Sequence, residues 1–375
     1  MKKILFRKLL FDYLSFFLIA IFSASLIIWV FQAVNYLDIM IEDGRDYLIY
    51  AGYSLLSFPK IISKLFPFVL FFSLFYITIR YENNNELIIF WNFGIHKLEL
   101  INIVIKFSIF LMLIQIILSS IIVPKSQDFA RSLLRSSTIN FFDNFIKPQR
   151  FNDTIKGVTI YSEKKDKVGN LYNIYLKKEI DEKNFQLTYA KKGSFKEFNK
   201  IPVLVLFDGE TITEKNGEIT NFSFSKSDFP LNNFQSNTTT YKKTQELNSL
   251  DLIKCIESIY NKEKKILGSI ENCKISNLNN LFKEIYKRLL IPFYIPVLTL
   301  ITFILILSSK ENTDYSRLKL LTFLLGLFFI IFSETTIRFI SETLIKNIYI
   351  VSIPYITFFI IYLILYRKFT FNNLK

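Results

Sequence analysis

Six long apolar stretches, three before a long polar middle and three after it, constrain this chain more than any other feature. The first runs from about Leu9 to Val34, the second from about Tyr53 to Ile79 and the third from about Leu98 to Val123. After the polar middle come a fourth from about Leu289 to Leu307, a fifth from Leu318 to about Ile337 and a sixth from Ile348 to Tyr366. A hydrocarbon core about 30 Å thick is crossed at 1.5 Å per residue, and each stretch is long enough. Backbone in lipid must satisfy its own hydrogen bonds, so the spans are predicted to be helices. Composition agrees: 51% of residues are hydrophobic and the mean hydropathy is +0.31, too apolar for the surface a soluble domain of this length needs. Lys2, Lys3, Arg7 and Lys8 fit the basic start of a signal peptide. The apolar run behind them is too long for one, however, and no small-residue cleavage site follows.

The net charge of +14 raises nucleic acid as a partner. The basic residues flank apolar runs and scatter over the polar middle instead of forming one soluble stripe, so nucleic acid is set aside. Their distribution in short segments predicts orientation. Four precede the first span, the loop after it carries Asp38, Glu42, Asp43 and Asp46 against Arg45, and the tail has Arg367, Lys368 and Lys375. Both termini are therefore expected on the cytoplasmic side of a bacterial inner membrane. Three spans then carry residues 125–285 across, into the periplasm of a Gram-negative cell. The expected organisation is 1–124 for three spans with a cytoplasmic helix at about 84–97, 125–285 for an outer domain, and 286–375 for three more spans.

The outer domain reads as β. Residues alternate over 157–161, 170–176, 185–190, 203–207 and 219–225. Turn signals fall at Val168-Gly169-Asn170, Asp181 to Asn184, Lys192-Gly193, Asp208-Gly209 and Asn216-Gly217. Short strands at this spacing suggest a sandwich, a jelly roll or an open barrel. From about Leu247 to Lys287 the pattern turns helical and charged, a return segment leading into the fourth span. Cys255 and Cys273 are too few for a disulfide framework and fit no metal site. In an oxidising compartment they form either one disulfide or two core thiols. His96 stands without a local metal-ligand companion, and no cofactor is expected.

No phosphate-binding loop, nucleophile elbow or zinc-protease motif is present, so no catalytic residue is assigned and any energy from nucleotide hydrolysis must come from a partner. The segment between spans two and three, Arg80 to Lys97, is the most informative. Asn85 is placed to cap a short helix, and Glu86 sits in its first turn where the helix dipole favours a carboxylate. Leu87, Phe90 and Trp91 share a face, and Gly94 suits the C-terminal cap. Such a helix either docks into an ATPase groove or lies in the membrane interface.

Glu86-Leu87 followed by Gly94 resembles the cytoplasmic signature of the LptF/LptG lipopolysaccharide-export permeases. So do Phe58-Pro59-Lys60 and Phe66-Pro67-Phe68 in span two, the three-plus-three spans, the β insert, and Gly157 to Tyr161 with Gly169 entering it. The resemblance spans essentially the whole chain, with the style of spans two and three leaning to the F type. It implies six transmembrane helices around a periplasmic jelly-roll domain. It further implies a permease without catalysis of its own, paired with a second permease of the other type and driven by a cytoplasmic dimer of an LptB-like ABC ATPase. Lipopolysaccharide would leave the inner membrane, enter the jelly rolls and pass to an LptC-like protein. Glu86, Leu87, Phe90, Trp91 and Gly94 would form the ATPase-coupling helix, with Glu86 pairing with a basic ATPase residue.

The chain departs from the family at Gln32 to Asp38, where some members carry lipid-phosphate cations and this one carries no Lys or Arg. Lys60, Lys64, Arg131, Arg135 and Arg338 are the substitutes considered for headgroup contact. The competing explanation for each is snorkelling or intrahelical pairing, as in the stripe Glu334, Arg338 and Glu342. Other readings are a membrane-anchored periplasmic sensor, a membrane enzyme acting on lipid-linked sugars, or a subunit of another lipid-exporting ABC system. The first lacks a cytoplasmic domain in these short loops, and the second lacks a boundary cluster of carboxylates or histidines.

Overall fold

The computed structural model describes residues 2–41, 47–136, 146, 148–155, 158–166, 169–181, 184–198, 201–215, 217–230, 242–261, 272–341 and 344–371. In chain order the helices are α1 (Lys2–Ile41), α2 (Tyr47–Leu56), α3 (Phe58–Asn83), α4 (Glu86–Asn92), α5 (Lys97–Ile117) and α6 (Val123–Ser136). Six strands follow: β1 (Phe151–Ile155), β2 (Val158–Lys165), β3 (Leu171–Asp181), β4 (Asn184–Phe198), β5 (Ile201–Lys215) and β6 (Glu218–Pro230). The chain closes with α7 (Ser249–Tyr260), α8 (Leu278–Leu289), α9 (Tyr294–Thr302), α10 (Tyr315–Thr336) and α11 (Leu344–Phe371). Among the described residues six helical runs are long and apolar enough to cross a membrane: Lys2–Leu37, Tyr47–Asn83, Lys97–Leu134, Ile275–Leu307, Tyr315–Phe339 and Lys346–Thr370. The protein is thus a helical multi-pass membrane protein with a β insert.

Contacts divide the chain into two compact units. Met1–Val30, Ser57–Asp128 and Lys242–Lys375 form one; Phe31–Leu56 with Phe129–Tyr241 form the other. The fourth span is the hub of the first unit. Its most apolar stretch is 78% buried, against 22% for the fifth span and 11% for the sixth, so those two turn apolar surface outward toward lipid or a partner. Gly326 of α10 lets the fifth span approach the second: a Cβ there would collide with the ring of Phe71, which is fully buried in α3.

Prolines set the polar contacts between spans. Pro67 inside α3 has no N–H for the Ser63 carbonyl one turn back. Gln115 of α5 supplies the missing donor, its Nε2 lying 2.8 Å from Ser63 O. Pro292 leaves the carbonyl of Arg288 free in the same way, and the fourth span breaks into 3-10 turns at Ile291–Phe293 and again at Phe303–Leu307. Ser119 Oγ donates to Arg288 O at 2.8 Å from a π-turn spanning Leu118–Ile122, which widens the helix between α5 and α6. Each freed carbonyl thus becomes a strut between spans three and two or three and four.

The return segment is anchored by the Arg288 side chain, which is 2% exposed. Its guanidinium donates to Glu284 Oε1 at 3.1 Å, to Leu247 O at 2.7 Å, to Ser249 Oγ at 3.1 Å and to Gln245 O at 2.9 Å. A buried guanidinium needs this many acceptors to offset lost hydration. Next to it Leu247, Leu252, Leu278 and Leu281 pack around Cys255 and Cys273, which form a disulfide with Cα atoms 5.8 Å apart. Of the two fates open to these cysteines, the structure takes the disulfide.

The sheet of the second unit is antiparallel throughout, in the order β1-β2-β3-β4-β5-β6. Ile160, Ile174, Leu176, Leu204 and Leu206 form one buried face with Ile146. Across β1 to β4 on the other face, Phe151, Tyr161, Tyr175 and Tyr189 sit in register as a ladder of rings 5.0, 6.1 and 4.9 Å apart. Two expected turns are corrected. Lys192-Gly193 and Asp208-Gly209 lie inside the 15-residue strands β4 and β5. A Cβ at Gly193 would strike the Ile174 side chain, and one at Gly209 the Tyr189 carbonyl, so these glycines permit close approach within the sheet. Between them the pairing of β4 and β5 passes over Lys191 and Asp208 without a shift of register, with Asp208 at φ 50°. The turn at Gly169 stands, with φ 92° and the Asp166 carboxylate accepting the Asn170 N–H at 2.8 Å. Strand β1 was not signalled by alternation.

Candidate functional site

Helix α4 is seven residues long and is held by its ends and its inner face. At the C-terminus Gly94 adopts φ 66°, a left-handed conformation that costs glycine nothing. The Ile95 N–H reaches Phe90 O at 3.1 Å and the Gly94 N–H reaches Trp91 O at 2.9 Å, the paired bonds of a Schellman motif. Ile95 and Phe90 are both 3% exposed and share one core cluster, supplying its apolar contact. At the N-terminus Asn85 takes the expected N-cap position but not the expected capping bond. Asn85 is left-handed at φ 62° and its side chain makes no capping bond. Asn84 donates from Nδ2 to Glu86 Oε1 at 3.2 Å.

The residues grouped as one apolar face separate in the structure. Leu87 and Phe90 turn inward beside Phe6, Tyr81 and Ile95, and Trp91 is half-buried with Lys97 Nζ 5.7 Å from its ring centre. Outward point Ile88 and Ile89, each 44% exposed, and Phe93, 47% exposed. Sequence periodicity missed these three. Apolar side chains cover both sides of α4, and only packing reveals which side the core takes.

Contacts from neighbouring elements hold α4 and the end of α3 that leads into it. From α1, Phe6 meets Phe90 with ring centres 6.1 Å apart and planes tilted by 59°, and Lys2 Nζ donates to Gly94 O at 3.1 Å and pairs with Glu99 at 3.3 Å. Also from α1, Asp12 accepts from Tyr81 Oη at 2.5 Å at the end of α3. Tyr13 donates to Thr78 Oγ1 at 2.9 Å, since the Thr78 hydroxyl proton is already given to Leu74 O. From the loop between the fourth and fifth spans, the Lys310 N–H donates to Glu82 Oε1 and its Nζ to Asn83 O, both at 2.9 Å. Lys97, opening α5, donates to Ile306 O at 3.1 Å. A push on α4 therefore bears on spans one, two, three and four together.

The basic residues considered for lipid contact differ in exposure. Lys60 lies between Gln127 Oε1 at 3.4 Å and Gln245 Oε1 at 3.5 Å, while Lys64 one turn on is exposed. Arg131 is half-buried in α6. Arg338 is exposed and makes no ion pair with Glu334 among the described residues. Helix α10 ends at Thr336 and tightens into a 3-10 turn over Ile337–Phe339, which breaks the i to i+4 alignment. Glu342 and the side chain of Arg135 lie outside the described residues. Among the described residues no group of histidine, cysteine and carboxylate side chains is arranged to hold a metal.

Comparison with known proteins agrees with this architecture. A protein of Rickettsia prowazekii (strain Madrid E), described as uncharacterized, is 24% identical over 324 residues, covering 83% of this chain and 84% of its own. The family described as lipopolysaccharide export system permease LptF/LptG matches residues 7–368, nearly the full length, without separating its two types. With six candidate spans, a β insert between the third and fourth, and a family match from before the first span to the end of the last, this chain belongs to the LptF/LptG family of lipopolysaccharide export permeases.

Proposed function

We propose that this permease is a non-catalytic subunit of an ABC exporter. A cytoplasmic ATPase dimer grips α4, a second permease of the same family completes the transport path, and lipopolysaccharide passes from the inner membrane through the β insert to a periplasmic jelly-roll bridge. The organisation is three spans over 1–124, an outer domain over 125–285 and three spans over 286–375. The termini lie in the cytoplasm and the insert in the periplasm. Two features support that orientation: the basic residues around both termini, and the Cys255–Cys273 disulfide, which an oxidising compartment maintains.

The observation that carries the reading is the outward face of α4. Ile88, Ile89 and Phe93 form an apolar patch next to Glu86, on a helix closed by its Schellman cap and backed by four spans. Glu86 meets a basic ATPase residue, Ile88, Ile89 and Phe93 fill the apolar groove around it, and Leu87, Phe90, Trp91 and Gly94 hold the helix in shape. For the lipid, Lys64, Arg131, Arg338 and Arg135, four residues after Arg131, are headgroup candidates. Lys60 serves more to tie span two to the return segment.

Substitutions on the two faces of α4 separate coupling from folding. Ile89→Ser and Glu86→Ala should leave thermal stability in detergent unchanged while lowering ATPase co-purification and lipopolysaccharide export. Leu87→Ala should lower stability itself, by about 2–5 kcal/mol for a buried leucine. Normal ATPase binding and export in both outward-face variants would refute the coupling role.

A further inference from the structure

The 3-10 turn ending at Leu307, α10 and α11 leave between them a cleft of about 430 Å³, roughly the volume of one fatty acyl chain. Its walls are apolar, among them Ile304, Leu318, Leu325, Ile361 and Leu365, and Lys368 stands at one end. Leu307 closes the fourth span, Leu318 lies in the first turn of α10 and Lys368 in the last turn of α11. All three belong to the end of the bundle that carries the chain termini. Leu321, Ile360 and Ile364, which also line it, are 53%, 52% and 52% exposed, so the cleft opens sideways. Water finds no set of polar partners on such a lining, and an unfilled groove forfeits dispersion contacts along its length. Hydrocarbon is the filling that suits it.

The charge at the rim narrows the choice. Lys368 makes no hydrogen bond or ion pair among the described residues. Lys319 and Arg367 are sequence neighbours of the lining residues Leu318 and Lys368 and add to the positive field. An ammonium at the end of an acyl-sized groove favours a phosphodiester carrying net negative charge.

We propose that this cleft binds an anionic glycerophospholipid, with one acyl chain between α10 and α11 and its phosphate on Lys368. The placement in the inner leaflet rests on the topology proposed above. The site is separate in kind from the export path, because it holds a resident lipid that seals the fifth and sixth spans against the hub.

Tryptophan quenching tests this on the full chain in nanodiscs. Trp29 and Trp91, the two native tryptophans, are replaced by phenylalanine. A reporter is then introduced as Ile364→Trp, with Ile360→Trp as a second in case the first disturbs folding. Leu363→Trp is the control, since Leu363 is 55% exposed but is not part of the cleft. Quenching by phosphatidylglycerol with brominated acyl chains is compared with quenching by brominated phosphatidylcholine. The cleft reporters should favour the anionic lipid about fivefold, the weight of one lysine near an anionic surface. The control should show no preference, and Lys368→Gln should abolish the preference at the cleft. Equal quenching by the two lipids, or a preference that survives Lys368→Gln, overturns the proposal. Absence of quenching by either lipid overturns it too, since protein then covers the cleft. The readout does not involve transport, so a negative result leaves the permease function untouched.

Discussion

At the scale of single residues, the fold around α4 and the return segment rests on a few residues whose conformation or burial is forced. Gly94 is one. A Cβ there would meet nothing, so space is no obstacle, but φ 66° is a conformation that L residues resist. Gly94→Ala should therefore cost about 1–2 kcal/mol through backbone strain alone, loosening the end of α4 and lowering the melting temperature. A full Gly94→Ala melting temperature would contradict the Schellman reading. This glycine was legible in the sequence because a helix C-cap is a local event, settled within a few residues. Arg288 was not legible. Its acceptors include the carbonyls of Gln245 and Leu247, some forty residues away, and nothing in the local pattern distinguishes it from its neighbour Lys287. The same applies to Ile88, Ile89 and Phe93. Their hydrophobicity was plain, but α4 is apolar nearly all round, and the choice of inward side is made by Phe6, Tyr81 and Ile95.

At the scale of elements, proline does much to organise the helices. Pro67 frees the Ser63 carbonyl and Gln115 takes it up, so the two residues form a linked pair across spans two and three. Gln115→Ala should destabilise the protein by about 1–3 kcal/mol, because a buried carbonyl loses its donor. Adding Pro67→Ala restores an N–H in α3 one turn below Ser63 and should recover much of that loss. A double-mutant cycle on thermal unfolding measures the coupling; strict additivity would show that Gln115 stabilises by packing instead. The spans themselves were readable, since hydropathy over about 20 residues is enough to mark a membrane helix. The strands were read less well. Phe151-Asn-Asp-Thr-Ile carries turn-forming residues and becomes β1 only because β2 offers it a register. Gly193 and Gly209 look like turns in sequence, yet both lie in strand interiors where neighbours press too closely for a side chain.

At the scale of the molecule, the architecture links the small helix α4 to the buried hub of the spans. Helix α4 bears on α1 through Phe6 and Lys2, the end of α3 bears on α1 through Tyr81 and Asp12, and the Lys310 loop ties that end to the fourth span. The fourth span is the buried hub, and Arg288 and the disulfide fasten to it the segment that returns from the β insert. An impulse at α4 can thus reach the hub through packed side chains and hydrogen bonds. The central claim is that this chain works inside an ATPase-driven lipid exporter. The most direct test is purification of the intact protein in mild detergent, followed by mass spectrometry of everything that accompanies it. An ABC ATPase, a second permease of the same three-plus-three design and bound lipopolysaccharide should come with it. Recovery of the chain alone, stable and free of lipid, would contradict the claim.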